Sequence, residues 1–314
     1  MRFSGSLIFV AKKRRKGIVS PPMYGTLLII TAYSLWGFFP LYFRQMSSVS
    51  AMDILVFRTL FALLHVLPLT LACGKGNELF RQLATPRNLG MLMVNALLVS
   101  VNWLIFIVLV NTGNTLQASL GYYINPLLTV FLALLVFRER FGKFRWASIG
   151  VAALGVLIFA LKVGTLPWGA LSVAVTFGLY GLMKKICPTD SLTALTIETL
   201  LLTPFVFFYI LFTGSVQTVW AVDPRQFLWL FGCGTLTALT LLLYGAGALR
   251  VKLSTLGLCQ YITPTCHFLT AVLVFKEPMA PAQWVCFGLI WVALILFTID
   301  SLRNEDSKST FRAE

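Results

Sequence analysis

The chain has 314 residues, 58% of them hydrophobic and 11% charged, with a mean hydropathy of +0.85 and a formal net charge of +14. Soluble domains average about 45–50% apolar residues, so an ordinary soluble globule is excluded, and apolar runs of about 20 residues, the bilayer-spanning length, recur throughout. The basic residues sit in short loops and tails rather than on one face, which argues against a nucleic-acid partner.

The expected class is therefore an all-α polytopic membrane protein; a β-barrel would show alternating segments of about 10 residues instead. Residues 1–22 carry Lys12-Lys13-Arg14-Arg15-Lys16 after a short apolar run, an order unlike a signal peptide and suited to a cytoplasmic tail near anionic headgroups. Ten spans follow, at about 24–43, 53–73, 88–110, 115–137, 144–162, 165–185, 191–212, 225–248, 254–275 and 283–300. A polar cytoplasmic tail, 301–314, closes the chain and is expected to be unstructured. With the N-terminus inside, most Lys and Arg fall on the cytoplasmic side and few outside, among them Arg44, Lys162, Arg225 and Lys276. Both termini are then cytoplasmic. The six cysteines form no C-x-x-C pair and read as small buried hydrophobes, with neither a disulfide framework nor a metal site.

One stretch occurs twice at a constant offset. Tyr123-Ile124 and Pro126 match Tyr261-Ile262 and Pro264, Leu135-Val136-Phe137 matches Leu273-Val274-Phe275, and Glu139, Trp146 and Gly150 match Glu277, Trp284 and Gly288. The copies cover spans four and five and spans nine and ten. Five spans per half is odd, so the halves insert in opposite orientation, as in secondary transporters with inverted repeats. The expected organisation is a first five-helix repeat at 23–162 and a second at 163–300.

Ionisable residues within spans invite functional readings. Arg58 lies about 8 Å below the outer end of span two, and Glu198 about 10 Å from the inner end of span seven. In a core about 30 Å thick this leaves about 12 Å of depth between them, so no direct ion pair is expected. Arg58 reads either as a snorkelling anchor or as a coupling group. Glu198 reads either as a structural hydrogen-bonding group or as a proton-coupling one, and His267, one turn past Pro264, as a titrating or a packing residue. Tyr123, Asn125, Gln260, Tyr261 and Thr263 flank the paired prolines, which remove backbone donors and tend to kink helices. With Trp36, Asn102 and Trp103 they form the candidate solute-binding set; interhelical packing is the competing reading. Glu139 and Glu277 read as interfacial ion pairs or hinge locks.

The chain lacks a phosphate loop, an H-E-x-x-H motif and, around Ser119, a G-x-S-x-G elbow. A carrier of a small organic solute, with or without a coupled proton, is the leading reading and needs no cofactor. A membrane sensor and an intramembrane hydrolase using Ser119 and His267 stand as alternatives.

Several motifs resemble the RarD group of the EamA-type transporters, in the drug/metabolite transporter superfamily. They are Leu35-Trp36-Gly37, Asn102-Trp103-Leu104, Ala118-Ser119-Leu120-Gly121-Tyr122, Ile197-Glu198-Thr199, and Leu253-Ser254-Thr255-Leu256-Gly257 running on to Gln260-Tyr261-Ile262. The resemblance spans roughly 24–300. It implies a ten-helix carrier of the bacterial inner membrane with two inverted five-helix halves, and export as the direction. The departures are the basic N-terminal tail and Cys259, Cys266 and His267 in span nine.

Overall fold

The computed structural model describes residues 21–137, 142–187, 189–214, 224–248, 250–251 and 253–310. The basic cluster of the N-terminal tail and Arg138, Glu139 and Arg140 therefore lie outside the described residues. Among the described residues every regular element is a helix. In order they are α1 (Pro21–Gly37), α2 (Phe39–Arg44), α3 (Ala51–Ala72), α4 (Gly76–Ala84), α5 (Pro86–Asn111), α6 (Thr115–Phe137) and α7 (Lys143–Val163). Then come α8 (Trp168–Ile186), α9 (Ser191–Thr213), α10 (Pro224–Ala248), α11 (Leu253–Cys259), α12 (Ile262–Leu269), a π turn (Thr270–Val274) and α13 (Pro281–Thr310). Seven helical stretches among the described residues are long and apolar enough to cross a bilayer. The other three predicted spans fall on α6, α8 and the broken α11–α12 stretch.

Local signals start and stop these helices. Ser50 caps α3 by accepting the Asp53 N–H at 3.0 Å, and Asp190 caps α9 by accepting the Thr193 N–H at 3.1 Å. Gly164 and Gly214 end α7 and α9 at φ +79 and +67, where a Cβ would be strained.

The packing repeats between halves. Pairing α1 with α8, α3 with α9, α5 with α10, α6 with α11–α12 and α7 with α13 maps the largest contacts onto one another. Thus α6 packs on α8 as α12 does on α1, α5 on α8 as α10 on α1, and α3 on α10 as α9 on α5. Contacts α3–α9, α6–α12 and α7–α13 map to themselves. The duplicated sequence has become a pseudo-twofold arrangement of helix pairs.

Several local expectations change. Span one is two helices, because Gly37 and Phe38 interrupt it before Pro40. A Cβ on Gly37 would stand 2.5 Å from Cys266 Cβ, so the glycine is what lets α1 approach α12. Span nine breaks at Gln260 and Tyr261, before Pro264, whereas α6 runs unbroken through Pro126. The loop after α3 contains the short helix α4, which buries Leu79 against Leu92 and Ile197; nine residues are too few to register as an apolar span. The tail after residue 300 is helical to Thr310, since it holds neither glycine nor proline to stop α13. Cys73 is exposed rather than buried.

Of the two expected roles of Glu277, ion-pair partner or hinge lock, the contacts are those of a lock. Lys276 adopts φ 52, turning the chain after the π turn, and the Glu277 carboxylate accepts the Thr115 N–H at 2.8 Å and the Leu116 N–H at 2.9 Å. It caps the N-terminus of α6, where unpaired N–H groups and the helix dipole favour an anion. A group in the second half thus closes a helix of the first.

Candidate solute site between the halves

The polar and aromatic side chains of the interior gather where the halves meet. Asn102 on α5, fully buried, donates through Nδ2 to the Val173 carbonyl at 3.0 Å and to Thr176 Oγ1 at 2.9 Å, both on α8. Its Oδ1 accepts the Tyr122 hydroxyl at 3.0 Å. The Tyr122 ring stands 5.6 Å from His267 and 5.6 Å from Phe177, and Phe106 lies 5.1 Å from His267. His267 is 1% exposed; its Nε2 donates to the Trp36 carbonyl at 3.1 Å, and its Nδ1 has no partner. Beside it, Tyr33, Trp36 and Tyr244 form a triad of rings 5.6–5.8 Å apart. A buried acceptor without a donor, as at Nδ1, is where an ordered water or a ligand group is expected.

From this centre two arms lead to charged residues. One passes Phe177 to Tyr180, 5.9 Å apart, and on to Glu198, whose Oε2 accepts the Tyr180 hydroxyl at 3.1 Å. Lys184 Nζ is 3.0 Å from the other Glu198 oxygen. The second passes Phe106 to Phe43, 5.9 Å apart, and then to Arg58, whose guanidinium lies 5.6 Å from the Phe43 ring and 3.9 Å from the Trp103 ring. Arg58 and Glu198 sit about two turns into α3 and α9, equivalent helices of the two halves. They have separate partners, Thr237 for Arg58 and Lys184 with Tyr180 for Glu198. Arg58 is 3% exposed, which is not the placement of a snorkelling anchor.

The structure divides the sequence-derived set. Trp36, Asn102, Trp103, Arg58 and His267 lie in or beside the cluster between the halves, and Glu198 closes one arm. Tyr123 also meets the other half, but in a second cluster, packing against Phe287 and Trp291 with its hydroxyl 2.7 Å from Thr265 Oγ1. Tyr261 packs on the same second apolar cluster. Thr263 donates to the Tyr33 carbonyl at 2.8 Å, and Asn125 accepts from Thr129 within α6 at 3.3 Å. Gln260 lies at the break between α11 and α12. Ser119 donates to the Pro264 carbonyl at 2.8 Å and so ties α6 to α12. Sequence reasoning missed Lys184, counted as a loop charge. Its spacing of four from Tyr180 is the signal that puts both on one face of α8.

Comparison with known proteins agrees on the architecture. The model of the EamA-like transporter family matches twice, over residues 23–161 and 167–299. An uncharacterized transporter of Vibrio cholerae is 40% identical over 281 residues, 89% of this chain and 93% of its own length. Protein RarD of Escherichia coli is 37% identical over 283 residues, 90% and 96% of the two chains. A chloramphenicol-sensitive protein RarD of Pseudomonas aeruginosa is 26% identical over 283 residues, 89% and 95% of the two. A solved crystal structure aligns with a TM-score of 0.58 at 17% identity, covering 88% of this chain and 96% of that one, a likeness of fold.

Proposed function

The chain belongs to the EamA-like transporter family of the drug/metabolite transporter superfamily, and we propose that within it this protein is a secondary carrier that exports a small organic solute by alternating access between its halves. The observation that carries this reading is that the central contacts cross from one half to the other: Asn102 to Val173 and Thr176, His267 to Trp36, Thr263 to Tyr33. A site built from both halves changes shape whenever the halves move, which is what alternating access requires. Ten crossings with both termini cytoplasmic, in the inner membrane, complete the proposal. So does the division into repeats at 23–162 and 163–300.

The Glu277 cap offers the switch. Thr115 and Leu116 of α6 correspond by the repeat to Leu253 and Ser254 of α11, and Glu277 corresponds to Glu139. In the exchanged state Glu277 releases the N–H groups of Thr115 and Leu116, so that the α6 end opens as the halves move. Glu198, joined to Tyr180 and Lys184, is the candidate proton-exchanging group. Proteoliposomes containing only this protein, screened with metabolite mixtures under an imposed pH gradient, test the function; solute-dependent flux is expected, and its complete absence with folded protein counts against a carrier. Glu198→Gln keeps the shape but exchanges no proton. It is expected to bind solute and to lose pH-driven accumulation, and full accumulation would make Glu198 structural.

A further inference from the structure

Arg58 is a buried cation that has no counter-charge among the described residues. Its Nε donates to Thr237 Oγ1 at 3.2 Å, and that hydroxyl donates onward to the Cys233 carbonyl at 2.8 Å. A guanidinium carries five N–H donors, and among the described residues the remaining ones meet no acceptor and no carboxylate. The acid nearest in sequence, Asp53, bonds Ser50 Oγ at 2.7 Å, and its spacing of five from Arg58 does not stack the two on one helix face. Buried arginine is otherwise found paired, because an uncompensated charge in an apolar interior is strongly unfavourable.

The equivalent position of the other half makes the contrast sharper. Glu198 has its counter-charge in Lys184, 3.0 Å away. Among the described residues the first half supplies no such group to Arg58.

The rings around Arg58 fix how the cation is presented. Trp103 stacks at 3.9 Å, and Phe39 and Phe43 stand at 5.7 and 5.6 Å. A stacked guanidinium has its faces occupied and its edge, with the two terminal nitrogens, available for two parallel hydrogen bonds. A planar oxyanion is the group such an edge accepts in bidentate fashion.

We infer that Arg58, oriented by Trp103, is the docking point for an oxyanion on the transported solute, so that the cargo class is organic acids with a carboxylate. This rests on the carrier reading and names its substrate class. The carboxylate sits on the Arg58 edge, the organic body lies against Phe43 and Phe106, and Tyr122 and His267 Nδ1 face its far end. A neutral or cationic solute of the same shape leaves Arg58 unpaired and gains nothing from it.

The test uses the purified full chain and a matched probe set of one body and three charges: phenylacetate, phenylacetamide and phenethylamine. Thermal unfolding with each probe reads binding. Phenylacetate is expected to raise the unfolding temperature of the wild type, and the amide and amine to leave it unchanged. Arg58→Lys, which keeps the charge but not the fork, is expected to weaken the acid about tenfold, the loss of one charge-assisted hydrogen bond. Arg58→Gln is expected to abolish the response. Equal stabilisation by acid and amide, no stabilisation by the acid at any concentration, or an undiminished acid response in either variant overturns the inference. The wild-type comparison decides even if Arg58→Gln does not fold. Flux of neutral or cationic solutes alone through proteoliposomes would leave the carrier reading standing and remove this one.

Discussion

Replacing Glu277 tests the link between halves most directly. The perturbation is a pair, Glu277→Gln and Glu277→Ala. The wild-type carboxylate holds two N–H groups at 2.8 and 2.9 Å on a half-buried rim. Hydrogen bonds to a charged acceptor contribute about 1.5–3 kcal/mol each when enclosed. Water reaches this rim and replaces part of each bond, so ordinary N-cap losses of about 0.5–2 kcal/mol are the better guide. The helix dipole adds about 0.3–1 kcal/mol for the charge. Alanine is therefore expected to cost about 1–3 kcal/mol, and glutamine, which keeps one acceptor and loses the charge, about half of that. In the thermal unfolding of purified protein this is a shift of a few degrees, ordered wild type, Gln, Ala. If the cap is also a gate, the same energy redistributes the two transport states by roughly 5- to 150-fold in the alanine variant. Labelling of a cysteine placed at Asn114, beside the α6 N-terminus, would then speed up. Wild-type stability and labelling in Glu277→Ala would refute the reasoning.

Gly37→Ala is expected to destabilise the protein by about 1–3 kcal/mol through overpacking, because its Cβ meets Cys266 Cβ and backbone of α12; a Gly37→Ala/Cys266→Gly double variant, measured by thermal unfolding, should recover most of the loss. The Asp190 carboxyl is partly buried, which alone would raise its pKa, but Lys75 at 2.6 Å and the Thr193 N–H outweigh this and hold it below the ordinary carboxylate value. Its contribution is therefore present above about pH 4 and is lost as pH falls through the lower folded value, and Asp190→Asn should flatten that acid limb of a stability profile. A cysteine placed at Gly164 is expected to react with an impermeant label from outside and one at Thr189 from inside; the reverse pattern overturns the proposed topology.

The class of the fold was legible in the chain because bilayer-length apolar runs and a gap-free internal repeat are properties of sequence alone. Backbone groups in hydrocarbon must be satisfied within the segment, so runs such as Ser191–Thr213 admit little but helix. The repeat likewise paired spans four and five with nine and ten, while the correspondence of the other three helices in each half emerged from the packing. Arg58 and Glu198 announced themselves because charge inside such a run is costly in any arrangement. Tertiary structure alone decided their partners. The chain alone does not tell that Lys184 turns across the α8–α9 connection to Glu198, nor that Arg58 of α3 lies on Trp103 of α5 with no acid beside it among the described residues, since each contact joins two separate helices. The same holds for the polar residues of the repeated stretch. Tyr122 and Tyr123 are neighbours in the chain, yet a helix turns about 100° per residue. One side chain faces Asn102 and His267 between the halves and the other faces Trp291 in a second core, and only the packing of α5, α8, α12 and α13 around α6 determines which face meets which.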